Sequence, residues 1–152
     1  SMSIVRYFNI YGPRMDPAGY GSVIARFISQ ARAGLPLTVH GDGRQSRCFT
    51  FVAEAVTATI LAGTEPAALG EAINVGGRAE TTIGDLAHEV LAATGRDGTV
   101  VQVPYESAFG PNFGDTPRRV PDVAKARRVL GWEALVPLRE GLAATLAAEG
   151  DS

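Results

Sequence analysis

At 152 residues, with 45% hydrophobic and 20% charged side chains, the chain has the size and make-up of one ordinary globular domain able to bury a core. A formal net charge of −2 is the wrong sign for holding nucleic acid, and no run approaches the ~20 apolar residues that span a bilayer. The only cysteine, Cys48, rules out an internal disulfide and suits a reducing, cytoplasmic setting, with Cys48 itself an inert small hydrophobe.

Ser1 reads as an addition ahead of a natural start at Met2, so 1–3 are set aside, 4–149 are expected to form one domain and 150–152 a tail. The β-branched and aromatic run Ile4-Val5-Arg6-Tyr7-Phe8 predicts a short strand that stops at Asn9. Gly12-Pro13, Pro17, Gly19 and Gly21 then mark a loop. From Ser22 onward Val23, Ile24, Phe27, Ile28 and Ala31 fall at helical spacing, with Gly34 as the stop. Leu37-Thr38-Val39-His40 predicts a strand, Gly41-Asp42-Gly43 a turn, and 47–52 a second strand. A helix over 53–63 and a strand over 72–75, closed by Gly76-Gly77, come next. Thr82 with Asp85 supplies a helix start, and Ile83, Leu86, Ala87, Val90 and Leu91 its buried stripe. A strand over 99–103 ends at Pro104, and 105–121 reads as a long loop of the kind that carries function. Asp122 is expected to cap a helix ending at Leu130 with Gly131 as its stop, and 138–148 is the last helix. This alternation predicts a mixed α/β fold.

Much catalytic chemistry is absent. No G-x-G-x-x-G follows a strand, and Gly41-Asp42-Gly43 is half such a motif lying between strands, so these residues hold no dinucleotide-binding turn. There is no G-x-S-x-G elbow, no H-E-x-x-H and no Cys/His spacing for a metal. His40 and His88 stand alone, and His88 misses the buried stripe of its helix, so it reads as solvated. No local run joins a nucleophile to a base, and the residues do not spell a complete catalytic centre.

Of the 14 cationic residues only Lys125 is lysine, so arginine as a type carries no information here and only its position does. Two segments stand out. One is Gly41-Asp42-Gly43-Arg44-Gln45-Ser46-Arg47, a loosened turn leading into a strand; the other is Pro117-Arg118-Arg119-Val120-Pro121-Asp122, at the end of the long loop. The planar, permanently charged arginine fork matches phosphate oxygens two at a time, and two forks from different loops suit a diphosphate. On spacing alone, solvated surface arginines remain the alternative.

Taken in order, Arg6-Tyr7-Phe8-Asn9-Ile10-Tyr11-Gly12-Pro13-Arg14, then Leu37-Thr38-Val39-His40-Gly41-Asp42-Gly43-Arg44-Gln45-Ser46-Arg47, then Asn74-Val75-Gly76, then Arg119-Val120-Pro121-Asp122-Val123-Ala124-Lys125-Ala126 with Leu130-Gly131-Trp132, resemble the C-terminal half of one family. That family is the extended short-chain dehydrogenase/reductases acting on nucleotide sugars, namely NAD-dependent epimerases, dehydratases and uronate decarboxylases. The resemblance covers nearly the whole chain. It implies a small substrate-binding domain with edge strands of a Rossmann sheet whose main part lies elsewhere. The family's glycine fingerprint and Tyr-x-x-x-Lys pair, both in its N-terminal half, have no counterpart here; the residue four before Lys125 is Pro121.

The resemblance also implies roles. Asn9 matches an asparagine that bonds the substrate diphosphate, and Tyr7 and Phe8 the passage beside the nicotinamide of NAD. Leu37 to Val39 match the strand whose backbone meets the nucleobase, Gln45 lies near the ribose, and Arg47 and Arg119 match the diphosphate-clamping arginines. Arg14, Arg44 and Arg118 are expected to be structural or solvated, Asp122 a helix cap and Trp132 a packing anchor. There are two departures from the family. His40 stands where an aromatic residue is common, and Gly21-Ser22-Val23 lacks the arginine that uronate decarboxylases carry there. That absence moves a UDP- or dTDP-sugar 4-epimerase ahead of the decarboxylase or dehydratase alternatives. In the family NAD⁺ takes hydride from the sugar C4, and the 4-keto sugar is then reduced, dehydrated or decarboxylated. A non-catalytic nucleotide-sugar-binding or interaction module is the reading from another class. The chain by itself is expected to bind no NAD and to be inactive. Its partners are expected to be a nucleotide-diphosphate sugar and either the missing Rossmann half or a second copy through exposed strand edges, giving a homo-oligomer.

Overall fold

The computed structural model describes residues 2–19, 23–111 and 113–150. In chain order these form β1 (Ile4–Tyr7), β2 (Ile10–Tyr11), α1 (Val23–Arg32), β3 (Leu37–His40), β4 (Ser46–Cys48), β5 (Thr50–Phe51) and α2 (Val52–Thr64). After a 3-10 turn at Pro66–Ala68 come β6 (Ala72–Val75), β7 (Glu80–Thr82), α3 (Ile83–Thr94), β8 (Val100–Val103), α4 (Tyr105–Phe109), β9 (Arg118–Arg119), α5 (Ala124–Leu130) and α6 (Leu138–Gly150). The fold is mixed α/β with short parallel sheets, as expected from the alternation. No helix among the described residues is long and apolar enough to cross a membrane.

Two apolar clusters hold these pieces together. The spacing of Phe27, Ile28 and Ala31 on α1 and of Leu86, Ala87 and Val90 on α3 gives each helix one buried stripe, and both stripes meet Leu37 and Val39 of β3 and Leu142 of α6. The second cluster is built from small residues: Ala55, Ala58 and Ala62 of α2 let it lie close to Ile73 and Val75 of β6, with Ala126, Leu130 and Trp132 closing the far side. Trp132 is therefore the packing anchor that its position announced, and its indole N–H donates to the Glu54 carbonyl at 3.1 Å. Gly131 ends α5 in the left-handed conformation at φ 61°, which costs glycine no steric penalty. Thr82 caps α3 by accepting the Asp85 N–H at 3.0 Å.

Strand pairing is set by long-range contacts. β1 and β6 run parallel, Ile4 opposite Ala72 through Tyr7 opposite Val75, with α2 lying in the connection between them. β3 pairs in parallel with β8, so the Gly41-Asp42-Gly43 turn does not join paired neighbours. The remaining sheet is β7-β4-β9, with β4 antiparallel to β7 and parallel to β9.

Three expectations need correction. The single strand expected over 47–52 is divided at Phe49 into β4 and β5, because β4 serves the three-stranded sheet while β5 pairs with β2, and Val52 already begins α2. The region 105–121 is not one loop. Tyr105, Phe109 and Phe113, spaced one helical turn apart, pack on each other and carry α4 on their first turn, and Arg118–Arg119 is drawn into the sheet as β9. Asp122 stands outside α5, whose N-cap position is Val123. The Asp122 carbonyl is engaged by Asn74 Nδ2 at 2.9 Å, and its carboxylate accepts the Ala124 N–H at 2.9 Å from outside the helix.

Candidate functional site

The three-stranded sheet brings the two arginine segments together. Arg47 of β4 lies directly opposite Arg119 of β9. Residues opposite one another on paired strands put their side chains on the same face, so Arg47, Arg119 and Thr81 share one face and Ser46, Glu80 and Arg118 the other. On that second face Glu80 grips Arg118 through both carboxylate oxygens at 2.9 to 3.1 Å and also accepts the Ser46 hydroxyl. The hydrogen bond from Ser46, then those from Arg118, hold the Glu80 carboxyl below the usual carboxylate range. Arg118 is thus structural. Arg44 is solvated, its side chain 89% exposed and 3.9 Å from Asp42, and Arg14 is exposed.

The first face has a different character. Arg47 is buried, its Nη1 donating to the Ser46 carbonyl at 2.7 Å and the Thr116 carbonyl at 2.8 Å, and its Nη2 to Asp115 Oδ1 at 2.6 Å. A guanidinium carries five N–H groups, and the Nε–H and the second N–H on Nη2 have no partner among the described residues. Asp115 is held from behind by the Tyr105 hydroxyl at 3.0 Å and the Thr116 N–H at 2.8 Å. Burial first, and then the bond to Asp115, raise the Tyr105 phenol to about 12, so it is a neutral donor at neutral pH. Arg119 is exposed, and its guanidinium has no hydrogen bond or ion pair among the described residues. The face therefore carries two cations and one resident anion. Asp115 and Tyr105 were not singled out in the sequence; one carboxylate in a glycine-rich stretch gives no signal of its own.

Packing glycines set this geometry. A Cβ on Gly76 would stand 2.7 Å from Pro121 Cγ and 3.0 Å from Phe8 Cβ, so only glycine lets the end of β1 and the segment following Arg119 approach. A Cβ on Gly77 would stand 2.5 Å from the Phe49 carbonyl oxygen, and the Gly77 N–H donates to Thr50 Oγ1 at 2.8 Å. A cleft of about 490 Å³ opens beside Val120, Pro121, Asp122, Trp132 and Glu133, directly after Arg119.

Asn9 is tied to the same strand. It adopts φ 43°, a conformation asparagine tolerates, and its Nδ2 donates to the carbonyl of Cys48, the residue after Arg47, at 2.9 Å. Gln45, also buried, donates from Nε2 to the His40 carbonyl at 2.8 Å and so braces the 41–43 turn. Leu37 and Val39 are turned into the core, and the Leu37 N–H bonds the Thr99 carbonyl at 2.8 Å. On the open side of β3 the Thr38 N–H donates to Gln30 Oε1 at 3.1 Å, and the Thr38 carbonyl accepts from Arg26 Nη2 at 3.3 Å. Tyr7 lies away from this sheet on β1, 51% exposed, its hydroxyl 2.7 Å from that of Thr59, and Phe8 is half-buried against Gly76. His40 meets Phe109 edge to face at 4.8 Å; burial, then the nearby Arg26, lower its pKa. His88 is exposed. Cys48 is buried, and burial raises its thiol pKa above the ordinary value.

A family model described as GDP-mannose 4,6 dehydratase matches residues 1–145. The chain belongs to the extended short-chain dehydrogenase/reductases. Among the relatives in that family, UDP-N-acetyl-alpha-D-glucosaminuronate decarboxylase of Bacillus cytotoxicus is 42% identical over 145 residues, which are 95% of this chain and 45% of the relative. An epimerase from the methanogen Methanothermobacter thermautotrophicus superposes with a TM-score of 0.89 at 32% identity, over 98% of this chain and 43% of its own. UDP-glucuronic acid 4-epimerase from Bacillus cereus, solved with UDP-glucuronic acid and NAD, superposes with a TM-score of 0.84 at 29% identity, over 98% of this chain and 45% of its own. The chain thus spans less than half the length of the short-chain dehydrogenase/reductase relatives it matches. Relatives whose names give a substrate include UDP-sugar epimerases and decarboxylases, and several solved ones hold NAD.

Proposed function

We propose that this chain is the nucleotide-sugar-binding part of an NAD-dependent UDP- or dTDP-sugar 4-epimerase, in which Arg47 and Arg119 clamp the diphosphate. The observation that carries this reading is the placement of the two arginines directly opposite each other on β4 and β9, with Arg119 unpaired among the described residues. Two positive forks on one face suit the charge spread over two phosphorus centres. Asn9, joined to the carbonyl beside Arg47, supplies an amide at the same strand. The nucleoside is expected along β3, on the edge where Gln30 and Arg26 of α1 bond the Thr38 N–H and carbonyl, with Leu37 and Val39 stiffening the strand from the core side and Gln45 near the ribose.

By holding diphosphate and nucleotide, these residues orient the sugar, which converts binding energy into positioning of its C4. NAD, when bound in the complete family fold, supplies the hydride acceptor for that carbon. Tyr7 and Phe8 are the residues of this chain read as lying against it. The exposed Tyr7 ring offers a flat wall, while the glycine fingerprint that grips a dinucleotide is missing from these residues. The isolated chain is therefore expected to bind without turnover.

Calorimetric titration with UDP tests the clamp. Heat is expected with an affinity weaker than about micromolar, because half a site is poorly preorganised. Arg119→Ala should remove that heat, and equal heat in the variant overturns the assignment.

A second reading, a uronate decarboxylase, is favoured by the 42% identity to a decarboxylase. The sequence difference that speaks against it falls on Gly21 and Ser22, which lie outside the described residues. Supplying a relative's Rossmann half and NAD separates the branches. A C4 epimer identifies the epimerase, a pentose with carbon dioxide the decarboxylase, and UDP binding with no product the non-catalytic module.

A further inference from the structure

We propose that the aromatic pair Phe109–Phe113 is a stacking platform for the base of a bound nucleoside diphosphate, with His40 fixing one ring of the pair. This rests on the arginine-clamp reading above and adds the residues that hold the other end of the ligand.

Three rings of one short segment gather at the surface. Phe109 and Phe113 lie 4.3 Å apart with their planes at 24°, and Tyr105 stands 5.4 Å from Phe113. The core does not account for them. No residue of α4 is buried, and Phe109 and Phe113 are 49% and 44% exposed. Phenyl rings grouped in solvent mark a surface that something covers.

The cluster is pinned at both ends. Tyr105 lies on the turn after β3, where a Cβ on Gly41 would stand 2.3 Å from its Cε2, and its hydroxyl donates to Asp115 at 3.0 Å. Phe109 meets His40 of β3 at 4.8 Å, the two planes 86° apart. The Gly110 N–H donates to the Glu106 carbonyl at 3.0 Å and the Phe113 N–H to the Gly110 carbonyl at 3.3 Å. These two bonds turn the chain back, so that Phe113 returns to Phe109.

The neighbours of the pair indicate its occupant. Phe113 is two residues from Asp115, which meets Arg47 at 2.6 Å, so only about 7 Å of chain separates the platform from a group on the arginine face. The other flank is β3. Leu37 and Gly41 donate their N–H groups to the Thr99 and Val103 carbonyls on the β8 side. Thr38 and His40 alternate with them and turn theirs to the opposite edge. There the Thr38 N–H is taken by Gln30, whereas the His40 N–H has no partner among the described residues. A backbone donor, flat rings beside it and two cations nearby together match a base joined to a diphosphate. Aromatic rings stack on the π-face of any base.

Titration with UDP and inorganic pyrophosphate tests this in the natural chain, Phe109→Ala and Phe113→Ala. Each substitution is expected to weaken UDP about tenfold and to leave pyrophosphate, which has no ring to stack, unchanged. UDP held equally by the natural chain and both variants overturns the platform and leaves the arginine clamp standing. If that equality comes with lost self-association in light scattering, the rings serve a second copy of the chain instead. Parallel weakening of both ligands means that the rings only hold the Asp115 segment in place, and also overturns the platform. No binding of either ligand to the natural chain overturns platform and clamp together. Phe109→Trp gives a second readout should the alanine variants not fold. The natural chain's one tryptophan, Trp132, is buried in the second apolar cluster. Saturating UDP is expected to change the emission of the added indole, and saturating pyrophosphate to leave it alone. Emission moved equally by both ligands, or by neither, overturns the platform.

Discussion

Arg47 and Arg119 face each other across β4 and β9, one buried and bonded to Asp115, the other exposed and unpaired among the described residues. Residues with the same charge at opposite positions of one strand pair repel, so the arrangement is favourable only where an anion is present.

The two arginines should therefore behave differently. Arg47→Ala removes three hydrogen bonds and leaves Asp115 without its cation, and is expected to cost about 2–3 kcal/mol in urea unfolding. Arg119→Ala should leave the unfolding midpoint within about 0.5 kcal/mol while abolishing UDP binding. Equal destabilisation by both variants would remove the distinction between a braced and a free arginine.

Gly77→Ala forces a methyl to within 2.5 Å of the Phe49 carbonyl oxygen, a backbone atom that cannot swing aside. A loss of about 2 kcal/mol is expected, read as a lowered melting temperature. Gly63→Ala, on α2 with nothing within 4 Å, should be neutral or stabilising in the same assay.

Thr82→Ala removes the acceptor for the Asp85 N–H at the start of α3. The expected cost is about 1 kcal/mol by chemical denaturation, with fraying limited to the first turn.

The β1–β6 pair has no further strand beside it among the described residues, and Ile4 and Tyr7 on β1 are 52% and 51% exposed. Self-association through this edge is expected, and light scattering at increasing concentration should report a dimer or larger species. A charge at the edge blunts strand pairing, so Ile4→Lys should shift the population to monomer. A natural chain that stays monomeric throughout would refute the edge as an assembly site.

Acid should loosen the three-stranded sheet. The folded-state carboxyl of Glu80 is held below its ordinary value by Ser46 and then Arg118, so the native state binds fewer protons than the unfolded chain. Its stabilising contribution is complete above the ordinary glutamate range, about 4.3, and fades as pH falls through the lower folded value. Glu80→Gln should flatten stability against pH in that acidic window and change little of the slope at neutral pH.

Several elements of this fold were legible along the chain. Val23, Ile24, Phe27, Ile28 and Ala31 announced α1, the Thr82–Asp85 start announced α3, and Gly131 followed by Trp132 announced the end of α5 and its anchor. Each of these signals is local, since helical periodicity, a cap and a left-handed stop all act within a few residues. The arginine positions were also legible as candidates, because a fork of fixed charge beside glycine or proline is a property of sequence.

What the sequence left open was decided across distance. That β4 would leave its chain neighbour β3 and lie between β7 and β9, that Phe49 would break one strand into two, and that Asp115 would seat itself on Arg47 all depend on pairings between residues far apart in the chain. Strand partnership and counter-ion choice are set by which surfaces the two apolar clusters force together, and a linear pattern holds no record of that. Local order is a matter of neighbours in the chain; the meeting of Arg47 with Arg119 is a matter of neighbours in space.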